Sequence, residues 1–534
     1  MLFRRSLTAA LAIAVAAGLV ALLVRVVAPG GWTPAKLLML IGLAGELPWV
    51  GLSVANGTIG FLRLLHGLPP LPAPCRDPLP RTAIVVTVRN EAMAAVLVPL
   101  RHLLDGLAAA GRGDAFAAFV LSDSDPARDA AERAACAGDP RIAYRRRSRH
   151  AGFKAGNLMD FLDRGAAGFA LMLVLDADSV MSAAAVLRLV GAMQADPRLG
   201  IVQHLAVGLP AMAAFPRLHQ FGMRAGMRTW VAGQDWWQGD EGPYWGHNAL
   251  IRIAPFRAHA RLPLLPDGNV ILSHDQMEAA LLRAAGWGVR VVVAEDGSRE
   301  ATPTTLPEYL RRDARWLTGN LQYRHLIGRP GLRPMGRWQL LQAMLLFTGA
   351  PFALVFLVGA AWSAATDHTS PFPAGWAIAL TFAWLCAFYS PKWLGYAQVL
   401  ILPAERRRYG GPARVLVGIM AETTFSLLLD PVAVVSKTGA MLRALTGRAT
   451  GWPPQDRAAR GVPWPMAARA FLPHTLIGLA SLAAFAHAGA QALLWSLLFV
   501  GGLAVAIPFC VLTADARFGR WLAARGIAAM PEER

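Results

Sequence analysis

The chain has 534 residues, of which 55% are hydrophobic, and it carries a formal net charge of +18. Soluble proteins contain about 45–50% apolar residues in domains of about 100–200 residues, so a single soluble domain is excluded and a membrane protein is predicted. The basic residues cluster at the ends of hydrophobic segments and between them, where they orient membrane proteins, and we expect no nucleic-acid partner. The four cysteines lack C-x-x-C spacing and indicate neither a zinc site nor a disulfide framework.

Two hydrophobic segments near the start of the chain predict membrane-spanning helices. Residues 7–28 and 36–65 each provide the roughly 20 residues that a span needs. The first lacks the small-residue cleavage site of a signal peptide. Glu46, Pro48 and Asn56 indicate that the second packs against protein rather than lipid. We assign residues 1–67 to a transmembrane hairpin that begins and ends in the cytoplasm.

A proline-rich linker and an α/β domain follow the hairpin. Residues 68–80 begin with Leu68-Pro-Pro-Leu-Pro-Ala-Pro, a stiff run that cannot continue a helix. Between residues 81 and 330, apolar runs of strand length alternate with helical patterns, which predicts a Rossmann-like, doubly wound α/β domain. Seven strands are expected, at residues 82–88, 117–121, 142–144, 170–175, 201–205, 245–253 and 289–293.

Hydrophobic segments return in residues 331–534, which we assign to a C-terminal transmembrane region. Full spans are expected at 340–362, 376–402, 471–485 and 493–512. Basic stretches at 406–408, 443–469 and 517–525 belong in the cytoplasm by the positive-inside rule, so residues 415–435 would start and end on the same side. That segment also contains Glu422, Asp430 and Pro431, and we expect it to be interfacial or re-entrant.

The most informative stretch runs from Leu171 to Met181, where an apolar run ends in Asp176 and Asp178. The run predicts a buried strand of a parallel sheet, and open α/β sheets bind ligands at the carboxyl ends of their strands. Two carboxylates one residue apart can bind Mg²⁺ or Mn²⁺ together with substrate phosphates. In isolation, however, two aspartates at this spacing more often cap a helix or loop.

Polar residues also follow two other predicted strands. Asn90 and Glu91 end the first, and Asp123 ends the second. Asn and Asp are ordinary turn residues, which is the alternative, but together these loops would face one sheet edge, where nucleotides bind. Lys154 lies between glycines and is the only lysine between Lys36 and Lys392. A compact ammonium suits a diphosphate, and an ordinary surface lysine is the alternative.

Two later segments predict helices with polar faces. Ser273 would cap a helix with Asp275 in its first turn, where the helix dipole keeps a general base ionised, although acidic residues there also simply complement the dipole. The capping box that begins at Thr305 opens a second helix, and in it Arg312, Arg315 and Trp316 share one face. Such a face can bind phosphate through arginine and stack a sugar on tryptophan. The alternative is an amphipathic helix that lies on the membrane surface.

Seven short motifs of the chain, in their order, resemble those of the processive family-two glycosyltransferases. They are N-E, S-D, K-A-G-N, D-A-D, G-H-N-A, S-H-D and R-x-x-R-W. The chain is most similar to the glucans biosynthesis glucosyltransferase H family, the bacterial inner-membrane synthases of osmoregulated periplasmic glucans. The resemblance covers nearly the whole chain. It is strongest in Val174-Leu-Asp-Ala-Asp-Ser-Val-Met181, Tyr244-Trp-Gly-His-Asn-Ala-Leu-Ile-Arg252, Ile271-Leu-Ser-His-Asp275, Ala284-Ala-Gly-Trp-Gly-Val289 and Arg311-Arg-Asp-Ala-Arg-Trp316.

The resemblance implies a multi-pass inner-membrane protein with a cytoplasmic glycosyltransferase A-type domain. It implies an inverting transfer of glucose from UDP-glucose, with Mg²⁺ or Mn²⁺, to a growing β-linked glucan, typically β-(1,2). Membrane lipids, an acyl carrier protein and periplasmic glucan-processing proteins are further expected partners. The expected roles are substrate contacts near the uridine for Asn90, Glu91 and Asp123, diphosphate contacts for Lys154 and Arg315, sugar and metal for Asp176 and Asp178, the general base for Asp275, and acceptor contacts for His247, Asn248, Arg312 and Trp316.

Two positions depart from the cellulose and hyaluronan synthases. Ser273-His274-Asp275 stands where they have T-E-D, and Arg312 stands where they have glutamine, as expected for relatives of glucosyltransferase H. The predicted spans contain aromatic rings that could stack on sugars, which predicts a path for glucan export. These rings belong to Trp384, Tyr389 and Trp393. An aromatic belt at the membrane interface is the alternative. The competing functions are synthesis of another β-polysaccharide or lipid-linked sugar, and a transporter whose domain only binds nucleotide.

Overall fold

The computed structural model describes residues 1–367, 372–448 and 461–533. Two helices, α1 (Leu2–Val27) and α2 (Pro34–His66), open the chain and are each long and apolar enough to cross a membrane. They contain the two segments predicted to span. Their apolar faces pack together through Leu19 and Leu23 of α1 and Leu43 and Leu47 of α2. Residues 67–81 then contain neither helix nor strand.

The α/β domain follows, and all seven predicted strands are present within a few residues of their expected positions. Its strands are β1 (Thr82–Val88), β2 (Phe116–Ser122), β3 (Ile142–Arg146), β4 (Leu171–Asp176), β5 (Val180–Met181), β6 (Leu199–His204), β7 (Val207–Gly208), β8 (Ala249–Arg252), β9 (Gly288–Val292) and β10 (Ser298–Glu300). Its helices are α3 (Met93–Ala109), α4 (Asp129–Ala137), α5 (Phe153–Arg164), α6 (Ala183–Ala195), α7 (Ala214–Gln238), α8 (Ile253–His259), α9 (Asp275–Ala284) and α10 (Leu306–Leu321).

The main sheet has the strand order β3-β2-β1-β4-β8-β6-β9. Strands β1 to β4 are parallel, while β8 runs antiparallel to both of its neighbours. Because side chains alternate along a strand, Leu173 of β4 faces the core beneath α3 and α6, and Val174 faces the core beneath α5. Burial on both faces explains why β4 is a continuous apolar run. A small second sheet has the order β5-β10-β7.

Helix α7 joins the α/β domain to the membrane helices. At Gly60 of α2, an added Cβ would lie 1.8 Å from the carbonyl oxygen of Thr229, and at Gly233 of α7 it would lie 2.1 Å from that of Asn56. Only glycine permits such an approach, so these two positions bring the backbones of α2 and α7 into direct contact. The α/β domain is thereby fixed relative to α2.

The C-terminal region consists of α11 (Pro334–Thr366), α12 (Ala374–Phe388), α13 (Ser390–Ile401), α14 (Pro403–Arg408), α15 (Pro412–Leu445), α16 (Trp464–His487), α17 (Ala490–Ala504), α18 (Ala506–Ala514) and α19 (Ala516–Ala524). Helices α11, α15 and α16 are long and apolar enough to span. The pairs α12–α13 and α17–α18 are bent by 74° and 61°. The described residues therefore hold five candidate spans, or up to seven if each bent pair counts as one.

Residues 415–435 lie inside α15, an uninterrupted 34-residue helix that runs through Pro431. A re-entrant segment reverses direction, and α15 does not, which corrects the re-entrant part of that prediction. The sharp bends lie instead between α12 and α13 and between α17 and α18. The position of α15 relative to the membrane stays a prediction.

Candidate active site

The loops that follow β1, β2 and β4 meet at one edge of the sheet. The parallel register pairs Thr87 with Leu121 on one side and with Asp176 on the other, so the three strands end level. Asn90, with a positive φ of 68°, joins the first two loops. Its amide Nδ2 donates to Asp125 (3.0 Å), and its backbone N–H donates to the hydroxyl of Ser124 (2.7 Å). The structure thus uses Asn90 to shape the edge beside Glu91.

Asp123 is held by Arg147, a residue that the sequence did not single out. The guanidinium donates to both carboxylate oxygens, from Nε at 2.7 Å and from Nη2 at 2.6 Å. It also donates to the carbonyls of Ala151 (2.7 Å) and Phe153 (3.0 Å). Arg147 therefore ties Asp123 to the loop that carries Lys154. Within a run of three arginines, no sequence signal distinguishes this buried one from surface neighbours.

Lys154 lies in the first turn of α5, behind a tight loop. Gly152 has a φ of +72°, and a Cβ on Gly156 would lie 2.0 Å from the carbonyl oxygen of Ala151. The glycines are therefore required by the loop itself. The Lys154 ammonium forms an ion pair with Asp176 and donates to the carbonyl of Gly246 at 2.8 Å. The predicted diphosphate contact thus lies beside the Asp-Ala-Asp stretch.

A third carboxylate, Glu300, lies next to the Asp-Ala-Asp stretch, and the sequence did not reveal it. Strand β10 pairs with β5 just after Asp178, with Arg299 opposite Val180. His247 Nε2 is 3.2 Å from a carboxylate oxygen of Glu300. Burial raises the pKa of Glu300, His247 opposes that effect, and the negative charge of Asp178 adds to it. Glu300 is 146 residues from Lys154 in sequence, and only the fold brings them together.

Asp176 and Asp178 are the residues that the sequence predicts to hold a divalent cation. Among the described residues, no group of three or more His, Cys, Asp or Glu side chains is arranged to hold a metal ion. Mg²⁺ typically takes one or two carboxylates and completes its coordination with substrate phosphates. The residues therefore fit a cation that binds together with a diphosphate, and they do not form a cage for an ion alone.

Asp275 is the first residue of α9, with its backbone at the positive end of the helix dipole. Its Cβ lies 3.5 Å from where a Cβ on Gly246 would stand, which places it against the same loop that Lys154 contacts. The N-cap is His274, so the predicted cap at Ser273 is wrong. Close packing of α10 explains this, because a Cβ on Gly319 would lie 2.3 Å from the Ser273 hydroxyl.

His274 and Glu278 form a buried pair beneath Asp275, with 2.8 Å between Nδ1 and Oε2. Burial alone would lower the pKa of His274. The charge and hydrogen bond of Glu278, with a smaller effect of Asp275, outweigh burial and raise that pKa. The pair anchors the first turn of α9 from which Asp275 projects.

Helix α10 begins after Thr305 as predicted, although the Thr305 side chain makes no capping hydrogen bond. The Arg312 guanidinium lies 4.5 Å from the ring centroid of Trp316, which confirms that these two share a face. Trp316 is 43% exposed, so its ring is available for stacking. Arg315 precedes it and is partly buried.

The loop of residues 244–248 contacts both Lys154 and Asp275. Asn248 has a φ of +50° and is fully buried. Its Nδ2 donates to the Ser298 hydroxyl at 3.0 Å, and this hydrogen bond holds β10 against the loop of residues 244–248. The structure gives Asn248 this positioning contact, while the substrate contact expected for it stays a prediction.

Comparison with known proteins decides the family. A family model described as Glycosyl transferase family group 2 matches residues 171–390. The glucans biosynthesis glucosyltransferase H of Xanthomonas euvesicatoria pv. vesicatoria is 34% identical over 91% of this chain and 80% of its own length. That of Bradyrhizobium diazoefficiens is 36% identical over 95% of this chain and 71% of its own length. The chain belongs to the glucans biosynthesis glucosyltransferase H family.

Membership in the glucosyltransferase H family makes this chain a membrane-bound glycosyltransferase with a nucleotide-sugar donor and a glycan acceptor. The expected glycosyltransferase A-type fold is confirmed by the mixed, Rossmann-like sheet. A mannosyltransferase from Pyrobaculum calidifontis, solved in complex with GDP-Man and Mn²⁺, is 16% identical and matches with a TM-score of 0.47 over 76% of this chain and 99% of its own.

Charged side chains also form pairs among α10, α13 and α15. Lys437 of α15 lies 3.2 Å from Asp313 of α10, and Lys392 of α13 lies 2.7 Å from Glu422 of α15. The Tyr389 hydroxyl donates to Asp430 at 2.6 Å. The rings of Tyr389 and Trp393 stack with 5.5 Å between centroids, and Trp384 stacks on Phe388 at 4.8 Å. Ionisable residues inside spans commonly mark substrate pathways.

Proposed function

We propose that the chain is an inverting glucosyltransferase that transfers glucose from UDP-glucose to a growing β-(1,2)-linked glucan. The proposal is supported by the position of Lys154, which donates to the carbonyl of Gly246 and forms an ion pair with Asp176, while Asp275 lies against the same glycine. Such a transfer needs a cationic side chain for the diphosphate, a carboxylate for the metal and a carboxylate base, and Lys154, Asp176 and Asp275 would supply them.

The donor would lie along the sheet edge. Asn90, Glu91 and Asp123 line the end expected to bind uridine, and Lys154 and Arg315 supply positive charge for the diphosphate. Mg²⁺ or Mn²⁺ at Asp178, with Asp176 beside it, would neutralise charge on the departing UDP. Preorganised charge at the leaving group is usually the largest single contribution to such a transfer.

Asp275 would act as the general base. It accepts the proton of the acceptor hydroxyl as that oxygen bonds to the anomeric carbon, and the bond from that carbon to the UDP oxygen breaks on the opposite side. One displacement converts the α-linked donor into a β-linked product.

The acceptor would approach from α10. Trp316 presents an exposed ring for stacking on a sugar, and Arg312 lies against that ring. His247 and Asn248 would complete the acceptor side through the loop of residues 244–248. From there the ion pairs and stacked rings of α13 and α15 would line an export path for the glucan.

We further propose a bacterial inner-membrane location with the α/β domain in the cytoplasm, supported by the basic stretches beside the spans. Membrane lipids surround the spans, and an acyl carrier protein and periplasmic glucan-processing proteins are the proposed protein partners.

Linkage analysis of the product made from labelled UDP-glucose by the purified protein tests the function. We expect metal-dependent release of UDP and a β-(1,2)-glucan. The Asp114→Asn variant, altered at the opposite, amino-terminal edge of β2, is the matched control. Another linkage would favour synthesis of a different β-polysaccharide, and binding of UDP-glucose without release of UDP would favour a transporter.

Proteoliposomes supplied with external UDP-glucose test export separately. Molecules whose α/β domain faces outward are expected to deposit glucan in the lumen. Product found only outside the vesicles would contradict export while leaving the transfer reaction intact.

A further inference from the structure

Glu300 is positioned from both sides by strand pairing. In the small sheet, β10 is the central strand, with Ser298 and Arg299 opposite Met181 and Val180 of β5 and with Glu300 itself opposite Gly208 of β7. Asn248 adds a side-chain hydrogen bond to Ser298 at 3.0 Å. A carboxylate fixed by two neighbouring strands and a buried amide is held in place more firmly than one on a surface loop.

Part of the Glu300 side chain nevertheless remains exposed. Its side chain is 37% exposed, whereas that of His247, which contacts it at 3.2 Å, is 16% exposed. His247 Nδ1 is buried and makes no hydrogen bond to any described residue. One carboxylate oxygen thus faces His247, and the exposed part of the group is open to a ligand.

Glu300 also lies between the two halves of the site. The charges that act on it come from Asp178 and Asp176 on the donor side and from Arg312 on the acceptor side. Arg312 in turn lies 4.5 Å from the centroid of the exposed Trp316 ring. Arg312 thus links the exposed Trp316 ring to Glu300.

We propose that Glu300, oriented by His247, binds hydroxyl groups of the terminal glucosyl residue of the acceptor and thereby selects which hydroxyl is presented to Asp275. An ionised carboxylate accepts several hydrogen bonds and can bind two neighbouring hydroxyls at once. This role rests on the proposed function and adds a determinant of linkage to it.

The Glu300→Gln variant tests this role, because it keeps the size of the side chain and removes its charge. Loss of a hydrogen bond to a charged group weakens binding by about 10- to 100-fold. We expect the KM for a β-(1,2)-linked glucose disaccharide acceptor to rise by about that factor, and the product to contain more than one linkage. Binding of UDP-glucose with Mg²⁺, measured by calorimetry, should stay at the wild-type value.

Two other variants complete the test. His247→Gln should shift the acceptor KM in the same direction, and Glu300→Asp, which keeps the charge, should retain a single linkage and serves if Glu300→Gln does not fold. An unchanged acceptor KM and linkage in Glu300→Gln would overturn the proposal. A loss of UDP-glucose binding would also overturn it, by assigning Glu300 to the donor. A wild-type protein that releases no UDP would instead refute the proposed function itself.

Discussion

Two groups of charged side chains border the α/β domain, and their exposure differs. Beside α7, Arg224 bonds to Glu295 at 2.9 Å and to Glu532 at 2.6 Å, with the Arg224 side chain only 1% exposed. Similar ion pairs join the other members of this α7 cluster, which comprises Arg217, Arg224, Arg228, Arg408, Glu295, Glu405, Glu532 and Glu533. Four positive charges meet four negative ones.

The sheet edge is more exposed. There the side chains of Asp176 and Glu300 are each 37% exposed, and that of Lys154 is 21% exposed. Breaking ion pairs among buried charges costs stability. Partly exposed carboxylates can bind a cation or hydroxyl groups. The contrast predicts that changes at the edge reduce catalysis, whereas changes in the α7 cluster reduce stability.

The largest effect is expected at Asp275. Because Asp275→Asn removes the base but keeps the size of the side chain, glucose transfer should fall by about 100- to 10,000-fold. The rate of UDP release by the detergent-purified protein measures this, with Asp114→Asn as the control. Transfer at near wild-type rate would show that another group takes the proton.

The α7 cluster should respond through stability instead. Arg224→Met leaves Glu295 and Glu532 without this partner, and breaking a buried ion pair in this way costs about 3–5 kcal/mol. A lowered Tm with normal activity per folded molecule is expected. Adding Glu532→Gln should recover part of the Tm, because one uncompensated charge is removed. If Arg224→Met kept the wild-type Tm and lost catalysis, the predicted difference between the two groups would be wrong.

A smaller effect is expected at Lys154. Lys154→Met should lower the rate of transfer by about 100- to 1,000-fold, since one charge on the departing diphosphate is lost. Lys154→Arg should restore only part of the rate, because a guanidinium cannot replace a compact ammonium. The Tm should stay near that of the wild type. A fall in Tm as large as that of Arg224→Met would mean that Lys154 is mainly structural.

The smallest effect concerns pH. The pKa of His274 is raised in the folded protein despite burial, through Glu278 and Asp275, with Lys154 opposing. Protonated His274 therefore stabilises the fold fully below about pH 6.5, the usual value for histidine, and this stability is lost as pH rises through the raised value. Tm measured between about pH 6 and pH 9 should decline less in His274→Gln. An identical decline would contradict the pairing.

Much of the fold follows from local patterns in the sequence. The continuous apolar run of β4 predicts its burial, and Asp176 marks its end, because both properties belong to neighbouring residues. The antiparallel direction of β8 was not predictable in the same way. A short apolar run has the same pattern in either direction, and only its partners β4 and β6 fix it.

The site residues also differ in whether local sequence patterns reveal them. Lys154, Asp178 and Asp275 stand in strings whose spacing is visible in the sequence. Glu300 and Arg147 do not, because Glu300 reaches the site through the pairing of β10 with β5, more than 110 residues apart in the chain, and Arg147 reaches Asp123 across 24 residues. Such pairings depend on tertiary structure rather than on a local motif.

A structure of the Asp275→Asn variant with UDP-glucose and Mg²⁺ would show directly where the donor binds. We expect the diphosphate between Lys154 and Asp178, with the metal on Asp178, and the glucosyl unit facing residue 275. Nucleotide bound away from the carboxyl ends of β1, β2 and β4, or a glucosyl unit turned away from α9, would contradict this prediction.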